Sequence, residues 1–397
     1  MTDQEIQNKR EKTLLLTVLF TFFISGTTAQ PLGSFIPYLR ESCGLSYEVS
    51  GLLLSCHSVG NLLAVVVTGF LPALLGRRRS VLFTSVWMIG GYLILLSGAP
   101  WPAVLMAGCL MTGFARGGNS NFSNTMVSTL SGSLATRGYN LIHGGYAVGA
   151  VLTPLLLLAC QKRWPASGWR VMAGALCVFA GLQVVTYGRM ALPPDQFKER
   201  GRMDTSFARE KRFWLGAVML FFYMSAEYAV TGWLVTYFQE SGILPLSVAQ
   251  MMNSLLWLDM FVGRLAGVWL GGRVSRNKLL VLDGAGFCLF FLVMFTARTS
   301  AAAVLGIAGL GLFMAGIYPT AFSFGAECIR GNDLGSSTMI LVGSVGGILT
   351  PTAVGMVAER LGIRAGMGIV AALTALLLVS IVVSVLAVRE KPQADSL

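Results

Sequence analysis

Apolar runs of roughly twenty residues or more, separated by short polar turns, make up almost the whole chain from residue 14 onward. A helix needs about 20 apolar residues, each rising about 1.5 Å, to cross a hydrocarbon core roughly 30 Å thick. The runs meet that length at 14–37, 49–72, 80–98, 102–130, 138–160 and 169–191, and again at 213–238, 247–270, 279–297, 301–326, 334–358 and 365–388. The pattern therefore predicts twelve transmembrane spans. Every one is expected to be helical, because lipid offers no partner to an unpaired backbone N–H or C=O.

Composition agrees. Of the 397 residues 54% are hydrophobic and only 12% charged, with a mean hydropathy of +0.69, whereas soluble chains carry about 25% charged residues. That excludes a folded surface in water and makes the lipid bilayer the chain's first partner. The formal net charge of +11 does not point to nucleic acid, since Lys and Arg form short clusters between apolar runs rather than one basic face. With the N-terminus inside, twenty of the 29 cations fall in inner segments, seven in outer ones and two, Arg116 and Arg264, within spans. This asymmetry predicts a multi-pass protein of the cell (inner or plasma) membrane with both termini cytoplasmic. One outer stretch, Gln161-Lys-Arg-Trp-Pro-Ala-Ser-Gly-Trp-Arg170, runs against it with three cations. The N-terminal segment lacks a small-residue cleavage site, so the first apolar run is kept as a span. The seven cysteines are scattered without metal-ligand spacing and are read as small apolar residues. No cofactor is expected.

Two short matches relate the halves. Gly149-Ala-Val-Leu-Thr-Pro154 is answered by Gly346-Gly-Ile-Leu-Thr-Pro351 at an offset of 197 residues, and Gly69 through Arg79 by Gly267 through Arg276 at 198. Both offsets are near half the chain, which argues for a duplicated six-helix unit. The predicted organisation is a bundle at 1–192, a charged cytoplasmic linker at 193–212 and a second bundle at 213–397.

These motifs resemble the major facilitator superfamily. The turn Gly69–Arg79 is similar to that superfamily's signature between its second and third helices, with Ala73 where an Asp is usual. A narrower resemblance is to the branch holding fucose:proton, glucose/galactose and sodium-dependent glucose transporters. It is carried by Asn124-Thr-Met-Val-Ser-Thr-Leu130, Asn140 through Ala150, Gly263-Arg264, Tyr318-Pro-Thr320, Gly335-Ser-Ser337 and Val345-Gly-Gly347 leading to Pro351. The resemblance implies an all-α membrane protein, two pseudo-symmetric six-helix bundles in the major facilitator fold, and solute transport by alternating access. Functional carboxylates in spans 1 and 4 of the fucose symporter fall on Gly33 and Ser120 here, which rules out proton coupling by those residues. Positions near its sugar site fall on Gln30, His143 and Tyr146, so the solute need not be fucose.

Ionisable residues at membrane depth are costly and are functional candidates by default. Glu227 lies near the middle of span 7, in Tyr223-Met-Ser-Ala-Glu-Tyr-Ala-Val-Thr-Gly-Trp233, where a carboxylate, hydroxyls and an indole suit a sugar. Tyr223, Trp233, Asn121 and Asn124 join the predicted substrate set. Asp259 is expected to hold Arg264 or to meet Glu227, and Glu227, Asp259 and Arg116 are the candidate coupling groups. Arg116 also keeps an anionic solute open, since its planar donors favour carboxylate or phosphate. His57 is read as structural.

The expected function is secondary transport of a small polar solute, a sugar foremost, driven by protons or sodium and performed by a monomer. An exporter of drugs or organic anions and an uncoupled sugar facilitator are the alternatives. An enzyme is not expected: no phosphate loop follows a strand, and two histidines within helices build no Ser/His/Asp arrangement.

Overall fold

A computed structural model describes residues 3–192, 205–270, 273–329 and 333–388. The first span is two helices, α1 (Asp3–Ala29) and α2 (Leu32–Cys43), and α3 (Tyr47–Thr68) forms the second. A short α4 (Leu71–Leu75) leads into α5 (Arg77–Ser97), α6 (Pro102–Ser128), α7 (Gly132–Arg163) and α8 (Gly168–Arg189), which complete the first half. The second half holds α9 (Lys211–Glu240), α10 (Leu246–Leu270), α11 (Arg276–Thr296), α12 (Ser300–Ala326), α13 (Asp333–Leu361) and α14 (Ile363–Ala387). Taking α1 and α2 as one, and setting aside α4, these are the twelve predicted spans. Ten of them are long and apolar enough to cross a membrane on length and composition alone. The other two, α6 and α10, carry Arg116, Asn119, Asn121 and Asn124, and Asn253, Asp259 and Arg264 respectively.

The first span departs from expectation by breaking at Gln30. Pro31 has no N–H to continue the α1 ladder and its ring obstructs the preceding turn. Its carbonyl instead accepts from Phe35 N at 2.9 Å, which starts α2 afresh. Most of α2 is buried, from Leu32 to Leu39, because it wedges between the halves. Its main neighbour is α9, in the opposite half, rather than α3.

Packing repeats with the sequence. The pairs α1/α7, α3/α6, α5/α6 and α5/α8 of the first half are matched by α9/α13, α10/α12, α11/α12 and α11/α14 of the second. Between the halves, α3 meets α13 and α7 meets α10, again a matched pair. Lipid-facing positions carry the exposed apolar side chains such as Val178, Val268 and Leu386.

One end of the molecule carries the start of α1 and the end of α14 and is called the termini face; the other is the far face. Among the described residues the hydrogen bonds and ion pairs that join the two bundles lie toward the far face. Arg40 pairs with Glu240, and the Tyr47 amide donates to Glu359 at 2.7 Å. Gln250 and Asn253 of α10 donate to the Ser34 carbonyl and hydroxyl at 2.8 and 3.0 Å. Ser55 donates to the Ile348 carbonyl at 2.5 Å and Ser254 to that of Val151 at 2.8 Å. Gly33 brings α2 so close to α9 that an added Cβ would lie 2.2 Å from the Thr231 carbonyl oxygen.

On the termini face the turn with Ala73 is anchored differently from the signature. Arg78 donates to the Gly188 carbonyl and, at 3.0 Å, to that of Met190, so it caps the last turn of α8 where unpaired carbonyls and the helix dipole favour a cation. Of the predicted linker, residues 193–204 lie outside the described residues. Its described end carries a short 3-10 turn at Ser206–Arg209, pinned by Trp214 Nε1 donating to the Ala208 carbonyl at 2.9 Å.

Candidate substrate site

Between the two bundles, beside the break in the first span, lies a cavity of about 380 Å3, its mouth included. Gln30, Gly33, His57, Ser58 and Arg116 line it from the first half; Tyr228 and Thr231 face them from the second. The break explains Gln30. Leaving the helical path at residue 30 turns its side chain toward α7, where Nε2 donates to the Tyr146 hydroxyl at 2.9 Å. The Arg116 guanidinium lies beside that hydroxyl and 5.9 Å from the centre of the Tyr228 ring. Gln30, Tyr146 and Arg116 therefore form one network from three helices of the first half.

Glu227 faces this network from α9. Its carboxylate lies beside the Tyr223 hydroxyl and within electrostatic reach of both Arg264 and Arg116. Neither guanidinium makes an ion pair within 4.0 Å with a described carboxylate. Thr231 and Ser58 spend their protons on helix carbonyls, those of Glu227 and Leu54 at 2.9 and 3.2 Å, so their lone pairs stay free as acceptors. His57 has one ring nitrogen 3.1 Å from the Thr112 hydroxyl, the packing arrangement expected of it, although its ring also touches the cavity.

At the offset of 197 residues that relates the halves, Gln30 and Glu227 occupy equivalent positions. The duplicated helices thus present an amide and a carboxylate to the same space. Gly33 lies against α9 with no room for a side chain, a physical reason that no carboxylate stands there in this conformation.

Other predicted residues lie nearer the termini face. His143 Nε2 is 3.2 Å from Asn124 Oδ1, its ring meets Phe22 edge-on at 5.3 Å, and Arg264 of α10 is its charged neighbour. Asn121 donates to the Thr68 hydroxyl at 2.7 Å, joining α6 to α3. Two expectations are corrected. Trp233 is fully buried away from the cavity, its Nε1 donating to the Pro351 carbonyl at 3.1 Å and its ring against Tyr47. Asp259 turns toward Gly311 of α12 and meets neither Arg264 nor Glu227. Sequence reasoning overlooked Tyr228 and Thr231, flanked by the noted Glu227 and Trp233, and Asp283, a lone acid inside an apolar run, whose carboxylate lies against Gly316.

Residues 18–341 match the profile of the Major Facilitator Superfamily. The chain belongs to that superfamily. An MFS-type transporter of Yersinia pestis is 23% identical over 361 residues, spanning 89% of this chain and 91% of that one. A glucose/galactose transporter of Brucella abortus is 22% identical over 376 residues, spanning 88% and 89%. Among solved structures, a nucleoside transporter superposes with a TM-score of 0.76 at 12% identity, covering 94% of this chain and 99% of that one. The Escherichia coli fucose:proton symporter superposes at 0.63 with 18% identity, covering 94% and 99%. At such identities the structural likeness speaks for the fold: this superfamily member is a multi-pass membrane protein with twelve helices in two six-helix bundles.

Proposed function

We propose that this transporter moves a small sugar across the cell membrane by alternating access, with Glu227 coupling transport to a proton or sodium gradient. The observation that supports the reading is the cavity between the bundles, where Gln30, Ser58 and Arg116 face Tyr228 and Thr231, with Tyr146 and Glu227 beside it. A sugar needs acceptors for its hydroxyls and an aromatic for its ring face, and Thr231, Ser58 and Tyr228 answer those needs. Relatives named as glucose/galactose transporters support the same class. The bundles 1–192 and 213–397 act as the rocking bodies, joined by 193–212, and a single chain is the working unit. The bias of cations to inner segments sets both termini in the cytoplasm. The far face is then the outside, and this conformation is closed to it.

Labelled-sugar uptake into proteoliposomes, with and without imposed proton and sodium gradients, tests the proposal. Glu227→Gln should retain exchange of internal for external sugar and lose gradient-driven accumulation. No saturable uptake of any hexose, pentose or amino sugar would refute the reading.

A further inference from the structure

We infer that the solute is an acidic sugar, a polyol bearing one carboxylate, whose anionic group binds Arg116. The inference rests on the sugar-transport reading and narrows it. Arg116 and Glu227 face each other from opposite bundles, whereas Arg264 is exposed and stays solvated. Holding a guanidinium at membrane depth with no carboxylate at contact distance is unfavourable, and a carboxylate-bearing solute supplies that partner to Arg116.

Geometry assigns the cation. Arg264 lies toward the termini face beside His143, and attracts Glu227 from that side. Arg116 lines the cavity itself, with the Tyr146 hydroxyl beside it and the Tyr228 ring as its flank. No described carboxylate lies within 4.0 Å of it. One hydroxyl cannot occupy the five donors of a guanidinium, and the remaining fork matches a carboxylate's two oxygens. Around it are groups suited to hydroxyls: Gln30 keeps its amide oxygen after its Nε2 is used, and Ser58 and Thr231 keep acceptor lone pairs. A plain inorganic anion would use the guanidinium and leave these unused.

The test is competition and counterflow with the full-length protein in proteoliposomes, using labelled glucuronate and labelled glucose, with acetate and chloride as competitors. Glucuronate uptake should exceed glucose uptake about tenfold or more, the size expected of one charge-assisted bidentate contact. Neither acetate nor chloride should compete at equal concentration. In Arg116→Gln the ratio of glucuronate to glucose uptake should fall about tenfold, and Arg116→Lys should restore part of it, with the melting temperature of each variant checking the fold. Glucose carried in preference to glucuronate, or a ratio unchanged in Arg116→Gln, overturns the inference and leaves sugar transport standing. Acetate competing as strongly as glucuronate overturns it as well. Uptake of neither sugar overturns the inference, and the wider panel of hexoses, pentoses and amino sugars then decides the sugar reading.

Discussion

Closure of the far face can be tested at Gly33. A Cβ there would lie 2.2 Å from the Thr231 carbonyl oxygen and 3.2 Å from the Gly232 Cα, both backbone atoms in the middle of α9. Helix backbone cannot step aside locally, so the overlap in Gly33→Ala is relieved by moving α2 away from α9, which parts the bundles. Overpacking of this kind costs about 1–3 kcal/mol. The closed state alone bears it, so the balance should move about 5- to 150-fold toward a far-face-open state. Gly26→Ala is the control: its Cβ would lie 2.0 Å from the Tyr146 carbonyl oxygen, but both residues belong to the first bundle. That clash persists in either state and should lower the melting temperature without shifting the balance. Spin labels at the exposed Ser42 and Leu361, in a cysteine-free background, report the far-face separation by double electron–electron resonance. Gly33→Ala should lengthen the distance and Gly26→Ala should not. An unchanged distance in Gly33→Ala, accompanied by a lower melting temperature, would refute the reasoning.

Glu240→Gln removes the partner of Arg40 from a pair whose side chains are 18% and 28% exposed. Such pairs contribute roughly 0.2–1 kcal/mol and are screened by salt, so the same label pair should separate less than in Gly33→Ala, with the effect fading at high ionic strength. Trp233→Phe deletes the donor to the Pro351 carbonyl and should cost about 0.5–1.5 kcal/mol of stability; the melting temperature should fall while KM stays unchanged, and a raised KM would return Trp233 to the substrate set. Asp283 has no cation partner among the described residues, so Asp283→Asn should raise the melting temperature by removing a buried charge; a lower value would expose an interaction the carboxylate makes.

Span positions were legible because an apolar run long enough to cross lipid has few other uses, and the polar interruptions mark its ends. The break at Gln30 was not. Pro37, Pro154, Pro319 and Pro351 all remain inside helices while Pro31 ends one, so proline alone does not decide; the packing of α2 into the opposite half does. Depth in the membrane pointed to Arg116 and Glu227, and the resemblance to the sugar-transporter branch to Gln30 and Tyr146; Gln30 and Arg116 line the cavity, with Tyr146 and Glu227 beside it. The direction a side chain takes around its helix was harder to read. Trp233 is six residues beyond Glu227, and Asp259 five before Arg264. At about 100° per residue each is turned well away from its expected partner, Trp233 toward α13 and Asp259 toward α12. Tyr228 and Thr231 reach the cavity because α9 presents them there beside α2, a placement that depends on the pairing of the two halves.

The break in the first span has a mechanical consequence. Duplication assigns α2 to the first half, yet its ties through Gly33 and Ser34 are to α9 and α10 of the second. Those ties break when the far face opens, and the non-helical peptide at Gln30, whose following proline supplies no ladder hydrogen bond, is the joint that lets α2 tilt away from α9 and α10 as they do. The hinge and the amide that touches Tyr146 are then one residue, so holding a solute at Gln30 also stiffens the joint about which the two pieces turn.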